Sequence, residues 1–308
     1  SNWEFKTGSK NGFRETWDKM QAMMGYGFNS PHGVATALDC MYGAYLKVNY
    51  PLEYYTTVLN IYQDNQSKIS AIENELPRFH INVLPIKFGR STAHYSYDKQ
   101  TNDIYKGAAS VKYVSEAAST ALYEFSQTFP SDKNFSDLLF AIKQQSLDID
   151  SRVLRALICL DYFSAYGKNA KLLKFFSVFV DKEPWKKSKI ITKNNAAPFT
   201  SDLLDKTCVK QTAKQYRFEN MYELYNLYFD SIPDQALSAQ EQLVCEIMYL
   251  EKPISTYDCS PSNYMILDYS INYGTPRAVL YNINTGEIVE TKIDKKIIEA
   301  AEDLGADK

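Results

Sequence analysis

Gly25-Tyr26-Gly27-Phe28-Asn29-Ser30-Pro31-His32-Gly33 separates two runs of helical periodicity. Ahead of it, Trp17, Met20, Met23 and Met24 fall on one helix face over residues 14–24, and the run stops at the paired glycines, which predict a tight turn. Beyond Pro31, the positions Val34, Leu38, Met41, Tyr42, Tyr45 and Leu46 predict a second helix over 33–48, ending before Tyr50-Pro51. Pro51 fits the first turn of a third helix continuing over 52–63, and Asp64 is placed to cap a fourth over 66–79.

The character changes at 80–105. Ile81, Val83 and Leu84 precede Pro85, and Tyr95, Tyr97, Ile104 and Tyr105 flank the turn-prone residues 98–103, which predicts a short strand and a hairpin. Amphipathic patterns resume at 115–126, 135–143, 150–163 and 169–180, reading as a compact helical module. Residues 181–214, rich in lysine and bearing Pro184 and Pro198, read as a linker or a loosely packed excursion. Helices follow at 216–229 and 238–250, the latter opening on a Ser238/Glu241 capping box. Strands at 265–269, 278–283 and 288–293 come next, the last two joined through Asn284-Thr285-Gly286, and a short helix over 296–304 closes the chain.

With 308 residues and 45% hydrophobic content, the chain has the material for two or three domains with a sizeable core. A net charge of -3 supplies no global field toward nucleic acid, so any such contact must come from local patches. Cys40, Cys159, Cys208, Cys245 and Cys259 lie far apart without a metal-ligand spacing and are expected to be reduced core thiols of a cytoplasmic protein. No apolar run reaches the roughly 20 residues that span a bilayer. Ser1-Asn2 has the form of a cleaved-tag remnant, and the opening at Trp3-Glu4-Phe5 suggests a piece of something longer.

The opening stretch, followed by Ala35-x-Ala37-Leu38 and by Ala44-Tyr45-Leu46-Lys47-x-x-Tyr50-Pro51-x-Glu53, resembles the end of the fingers domain in the bacterial DNA polymerase III alpha-subunit family, where the string reads GYGFNKSHA and then YLKAHYP. Ile81-x-Val83-Leu84-Pro85, Tyr105-x-Gly107-Ala108 with Val111-Lys112, and Arg152-Val153-Leu154 with Leu157-Ile158 and Phe163-x-x-x-Gly167 follow the family pattern in order, over residues 5–179. Residues 243–257 fit a later family helix that leads into an oligonucleotide-binding fold.

The resemblance implies a mainly α fold with a smaller β portion. Fingers-derived helices would occupy 1–85, a tandem helix-hairpin-helix-like DNA-binding domain 86–180, a basic linker with a helix 181–237, and an α+β segment 238–308, the start of an oligonucleotide-binding fold. Phe28, Asn29 and His32 would border the incoming nucleotide; the plainer role for His32 is to fix the turn. Lys106, Gly107, Lys112 and Arg152 would hold duplex DNA, because glycine-rich hairpins and helix N-termini bring main-chain N–H groups to phosphates. Lys186 and Lys187, beside Trp185, could clamp phosphates or stack a base, although such lysine runs are more often solvated linkers.

Two departures stand out. Ser30-Pro31 replaces the family's Lys-Ser, removing a cation that could meet a triphosphate, and Tyr113-Val114-Ser115 replaces Gly-Val-Gly, putting side chains where the backbone would approach a phosphate. No acidic cluster precedes Gly25, so the two-metal centre of the parent polymerase, with its magnesium, is not expected in this chain, which alone should be inactive and carry no catalytic or metal-binding residues. Primer-template DNA is the expected partner. A deoxynucleoside triphosphate, the sliding clamp and other replisome subunits would be partners of the parent enzyme. The alternative reading is a diverged, non-catalytic DNA-binding or scaffold protein.

Overall fold

In the computed structural model, the described residues are 6, 11–24, 30–63, 65–145, 147, 149–185, 189–272, 275–294 and 296. The sequence-derived turn at 25–29, including Phe28 and Asn29, lies outside them, as do Lys186 and Lys187 and most of the closing helix. The chain divides into two compact units, at His80/Ile81.

The first unit is helical: α1 (Asn11–Met24), α2 (Ser30–Asn49), α3 (Pro51–Ile61) and α4 (Gln66–Glu75), the last running into a 3-10 turn at Leu76–Phe79. Pro51 occupies the first turn of α3, as its fixed φ and missing N–H favour. The cap of α4 is Asn65, whose side chain accepts from the Lys68 amide. Leu52, Tyr55, Leu59, Ile69 and Leu76 are buried in this unit. Lys47 of α2 and Glu75 at the end of α4 form a half-buried ion pair, 2.7 Å apart. The hydrogen bond from Lys47 holds the Glu75 carboxyl below the usual carboxylate range.

The second unit begins with a small sheet of order β1-β3-β2, from β1 (Asn82–Leu84), β2 (Ser96–Asp98) and β3 (Asp103–Tyr105). β2 and β3 are the expected hairpin, while β1 pairs with β3 in parallel. Four helices follow: α5 (Glu116–Thr128), α6 (Phe135–Gln144), α7 (Ser151–Cys159) and α8 (Asn169–Lys182). The starts of the first three are written in the sequence. Ser115 caps α5, Asn134 and Asp137 form a capping box on α6, and Asp150 caps α7.

The segment read as a linker is folded. It holds β4 (Ile190–Thr192), α9 (Ser201–Thr207), β5 (Lys210–Gln211) and β6 (Gln215–Arg217), the strands forming an antiparallel sheet of order β4-β6-β5. Ile191, Phe199 and Leu204 from it are buried in the core, with Phe199 edge-on to Tyr225 and Tyr228. Trp185 packs on Phe179 at 5.0 Å and is partly buried at the edge of the core.

Next come α10 (Tyr222–Ser231) and α11 (Ala239–Leu250). α10 starts later than its periodicity predicts because Tyr216 is drawn into β6. α11 opens on the expected Ser238/Glu241 capping box. The core of the unit is aromatic: Phe175 meets Phe135, Phe179, Tyr225 and Phe229 with ring centroids 5.2–6.3 Å apart. An antiparallel meander of β7 (Tyr264–Asn272), β8 (Thr275–Asn282) and β9 (Ile288–Lys292) follows α11. Gly286, at φ 76°, makes the β8–β9 turn that Asn284-Thr285-Gly286 announces.

The fold is therefore mainly helical with small sheets. All five cysteines are free, but Cys159 is buried and Cys40 is exposed, so Cys40 is not a core thiol.

Candidate nucleic-acid interface

The turn between β3 and α5 is built from alternating anchors. Val111 and Val114 are buried, while Lys112 and Tyr113 between them are exposed. The Lys112 amide donates to the Tyr249 carbonyl at 2.9 Å, tying the turn to the end of α11. Tyr113 has φ 71°, in the left-handed region that favours glycine, and it stands where the resembled family pattern has one. The backbone thus keeps the glycine conformation and carries a tyrosine ring.

Three elements converge on that ring. The Lys112 Nζ lies 5.8 Å and the Arg152 Cζ 5.9 Å from its centroid, and Tyr249 of α11 meets it edge-on at 6.5 Å. Arg152 is in the first turn of α7, thirty-nine positions from Tyr113 in sequence, and only the fold brings it to that ring. Two acidic groups temper the patch. Asp150 accepts from the Arg152 Nε at 3.0 Å, from a second guanidinium nitrogen at 2.9 Å and from the Arg152 amide at 2.9 Å, and Glu251 is 3.8 Å from the Lys112 Nζ. The Arg152 amide and guanidinium hold the Asp150 carboxyl below the ordinary range. With a depressed folded pKa, the contribution of this carboxylate to stability is present above the unfolded value near 3.9 and is lost as pH falls through the folded value. At neutral pH it therefore stays ionised on Arg152.

Asp150→Asn keeps a capping side chain and removes the charge that engages Arg152. DNA affinity is expected to rise by about two- to fivefold at low salt, the scale of one exposed pair, with the gain shrinking as salt is added. Fluorescence anisotropy on a labelled duplex reads this.

The other sequence-derived residues are distributed differently. Gly107 is buried, and a Cβ there would come within 2.3 Å of the Ala93 carbonyl oxygen, so its glycine answers a close backbone approach within the protein. The amides around it donate inward: Lys106 to Leu84, Ala108 to Thr92 and Ala109 to Ala93, at 3.0, 2.8 and 3.1 Å. Those donors are committed to carbonyls and do not face a phosphate. Lys106 sits just past the end of β3. His32 lies exposed in the first turn of α2, its carbonyl accepting from the Thr36 hydroxyl.

Among the described residues, no cluster of three His, Cys, Asp or Glu side chains is arranged to hold a metal ion, and no helix is long and apolar enough to cross a membrane. A surface pocket of about 260 Å³ sits between α5 and α6, floored by Phe125, Phe129 and Phe140. Its carboxylate, Asp137, already accepts from the Asn134 amide and from the Asn226 and Tyr222 side chains.

Tyr113 and Tyr249 escaped the sequence reading, which treated Tyr113 only as an obstruction. The available signal was a cation directly followed by an aromatic at a position of glycine-like backbone.

The chain is 29% identical over 215 residues to the DNA polymerase III subunit alpha of Campylobacter jejuni, covering 68% of this chain and 18% of that protein. It is 28% identical over 157 residues to the subunit from Thermus aquaticus, and 26% over 157 residues to that from Escherichia coli K12, covering 51% of this chain in each case. Over part of its length the chain is similar to DNA polymerase III subunit alpha. It spans 12% of the Thermus aquaticus polymerase subunit and 13% of the Escherichia coli one. No protein-family model matches the chain.

Proposed function

We propose that this chain is a DNA-binding portion of a replicative DNA polymerase alpha subunit, and that its second unit grips primer-template DNA at the 111–115 turn and the start of α7. The observation that carries the reading is the convergence of Lys112 and Arg152 on Tyr113, at the N-terminal ends of two helices, in a chain whose curated relatives are DNA polymerase III alpha subunits. Cations there neutralise phosphates, and the helix ends add their positive dipole. The turn stands where the resembled family has the Gly-Val-Gly of its first DNA-binding hairpin, and Arg152 belongs to a stretch that follows the family pattern, which supports the reading.

In this reading the first unit is the end of the fingers, with His32 toward the nucleotide side. The palm, its carboxylates and magnesium belong to the rest of the enzyme, and no chemical step is assigned to the residues described. Trp17 and Met20 on α1, and Leu38, Met41, Tyr42 and Tyr45 on α2, are exposed apolar side chains of a kind that a larger assembly would cover. That exposure favours a fragment of a bigger polymerase over a free-standing scaffold.

The test is a salt titration of binding to a fluorescent primer-template. Replacing both Lys112 and Arg152 by alanine is expected to reduce the slope of log affinity against log salt by about two, one per phosphate contact, and to weaken binding uniformly across sequences. An unchanged slope would remove this turn from the interface.

A further inference from the structure

Tyr113 is 53% exposed, although it sits at the centre of the cationic turn. Its backbone occupies the left-handed region at φ 71°, where a tyrosine is costly and glycine would be at ease. Val111 and Val114 hold the turn in the core on either side, and the Lys112 amide is bonded to the Tyr249 carbonyl, so the ring projects from a fixed base. Such a ring obstructs the approach of a duplex backbone to the turn's own amides. Lys112 and Arg152 lie over the ring, just under 6 Å from its centroid, and both side chains are themselves exposed, so a base reaches the ring as they swing aside to its phosphates.

An exposed aromatic with flanking cations is what binds a single strand, since every base has a stackable face and the cations meet the phosphates next to it. Bases within a duplex present no such face. Glu251 and Asp150, which now neutralise part of the charge on Lys112 and Arg152, are exposed themselves, at 78% and 46%, and can be displaced by phosphate.

Resting on the reading that this turn binds DNA, we infer that Tyr113 stacks an unpaired base, so that the site takes single-stranded DNA or the single-stranded template at a primer-template junction in preference to continuous duplex. The backbone-amide grip of a glycine hairpin is replaced here by a side-chain platform.

The test compares the full chain with its Tyr113→Phe, Tyr113→Ala and Tyr113→Gly variants by anisotropy on a blunt duplex, the same duplex with a single-stranded template overhang, and oligothymidylate. The parent is expected to prefer the overhang and the single strand. Tyr113→Ala and Tyr113→Gly should lose about tenfold on those two probes and less than twofold on the blunt duplex, and Tyr113→Phe should bind like the parent. Glycine suits the local backbone, so that variant keeps the comparison valid should alanine disturb the fold. Equal losses on all three probes, or none on any, overturn the stacking role while leaving the phosphate contacts of Lys112 and Arg152 in place. Failure of the parent to bind any of the three overturns both.

Discussion

Glu246→Ala is expected to destabilise the second unit by about 3 kcal/mol, read as a lowered urea midpoint by circular dichroism. Glu246 is 1% exposed, and its carboxylate is the acceptor at the centre of a polar chain. One oxygen takes the Ile254 and Ser255 amides at 2.7 and 2.9 Å, and the other takes the Ser255 hydroxyl and, at 3.2 Å, the Gln242 side-chain amide. Gln242 in turn accepts from Asn169 at 2.8 Å, whose own oxygen takes the Leu237 amide at 2.8 Å. The Ser255 carbonyl receives the Tyr281 hydroxyl. Removing the carboxylate leaves several donors unanswered in a largely buried setting, and hydrogen bonds to a charged acceptor are worth about 1.5–3 kcal/mol each. Part of that loss is recovered because Ile254 and Ser255 reach solvent. Glu246→Gln retains one acceptor oxygen and should cost about half as much. A loss below about 1 kcal/mol for the alanine variant would mean that the 254–255 loop is held to α11 by other contacts.

Gly107→Ala should cost about 3 kcal/mol of stability while leaving the DNA affinity of the folded protein within about twofold of the parent. The added carbon would lie 2.3 Å from the Ala93 carbonyl oxygen and 2.6 Å from two backbone atoms of His94. All three are main-chain atoms, and the Ala93 oxygen is held by the Ala109 amide, so relief requires moving the 93–94 backbone, beyond the usual cost of overpacking a core by one methyl. The opposite outcome, intact stability with collapsed DNA affinity, would return Gly107 to the role that the family pattern implies for it.

Much of the fold was legible because local signals were strong and agreed with one another. Ser115, Asp150 and Ser238 are caps with matching helical periodicity behind them, Pro51 is locked at the φ of a first helical turn, and Gly286 takes a left-handed φ that few other residues accept. The misreadings arose where a tertiary contact decided the outcome. Residues 181–214 look like a linker because lysines and two prolines are scattered through them, while Ile191, Phe199 and Leu204, their anchors in the core, are spaced too widely to form a period. Tyr216 extends the helical pattern of α10, but pairing with Ile191 places it in β6. The candidate site was half visible. Lys112 and Arg152 were marked by resemblance, but their meeting on one ring, and the inward commitment of the amides near Gly107, depend on contacts that sequence spacing does not encode.

The most direct test of the account is hydrogen exchange measured by mass spectrometry on the full chain with and without primer-template DNA. The account predicts slowed exchange in peptides covering 111–118 and 149–155, the turn and the start of α7, with the Lys112→Ala, Arg152→Ala double variant losing that protection. Protection confined to other segments, with these two unchanged at saturating DNA, would contradict it.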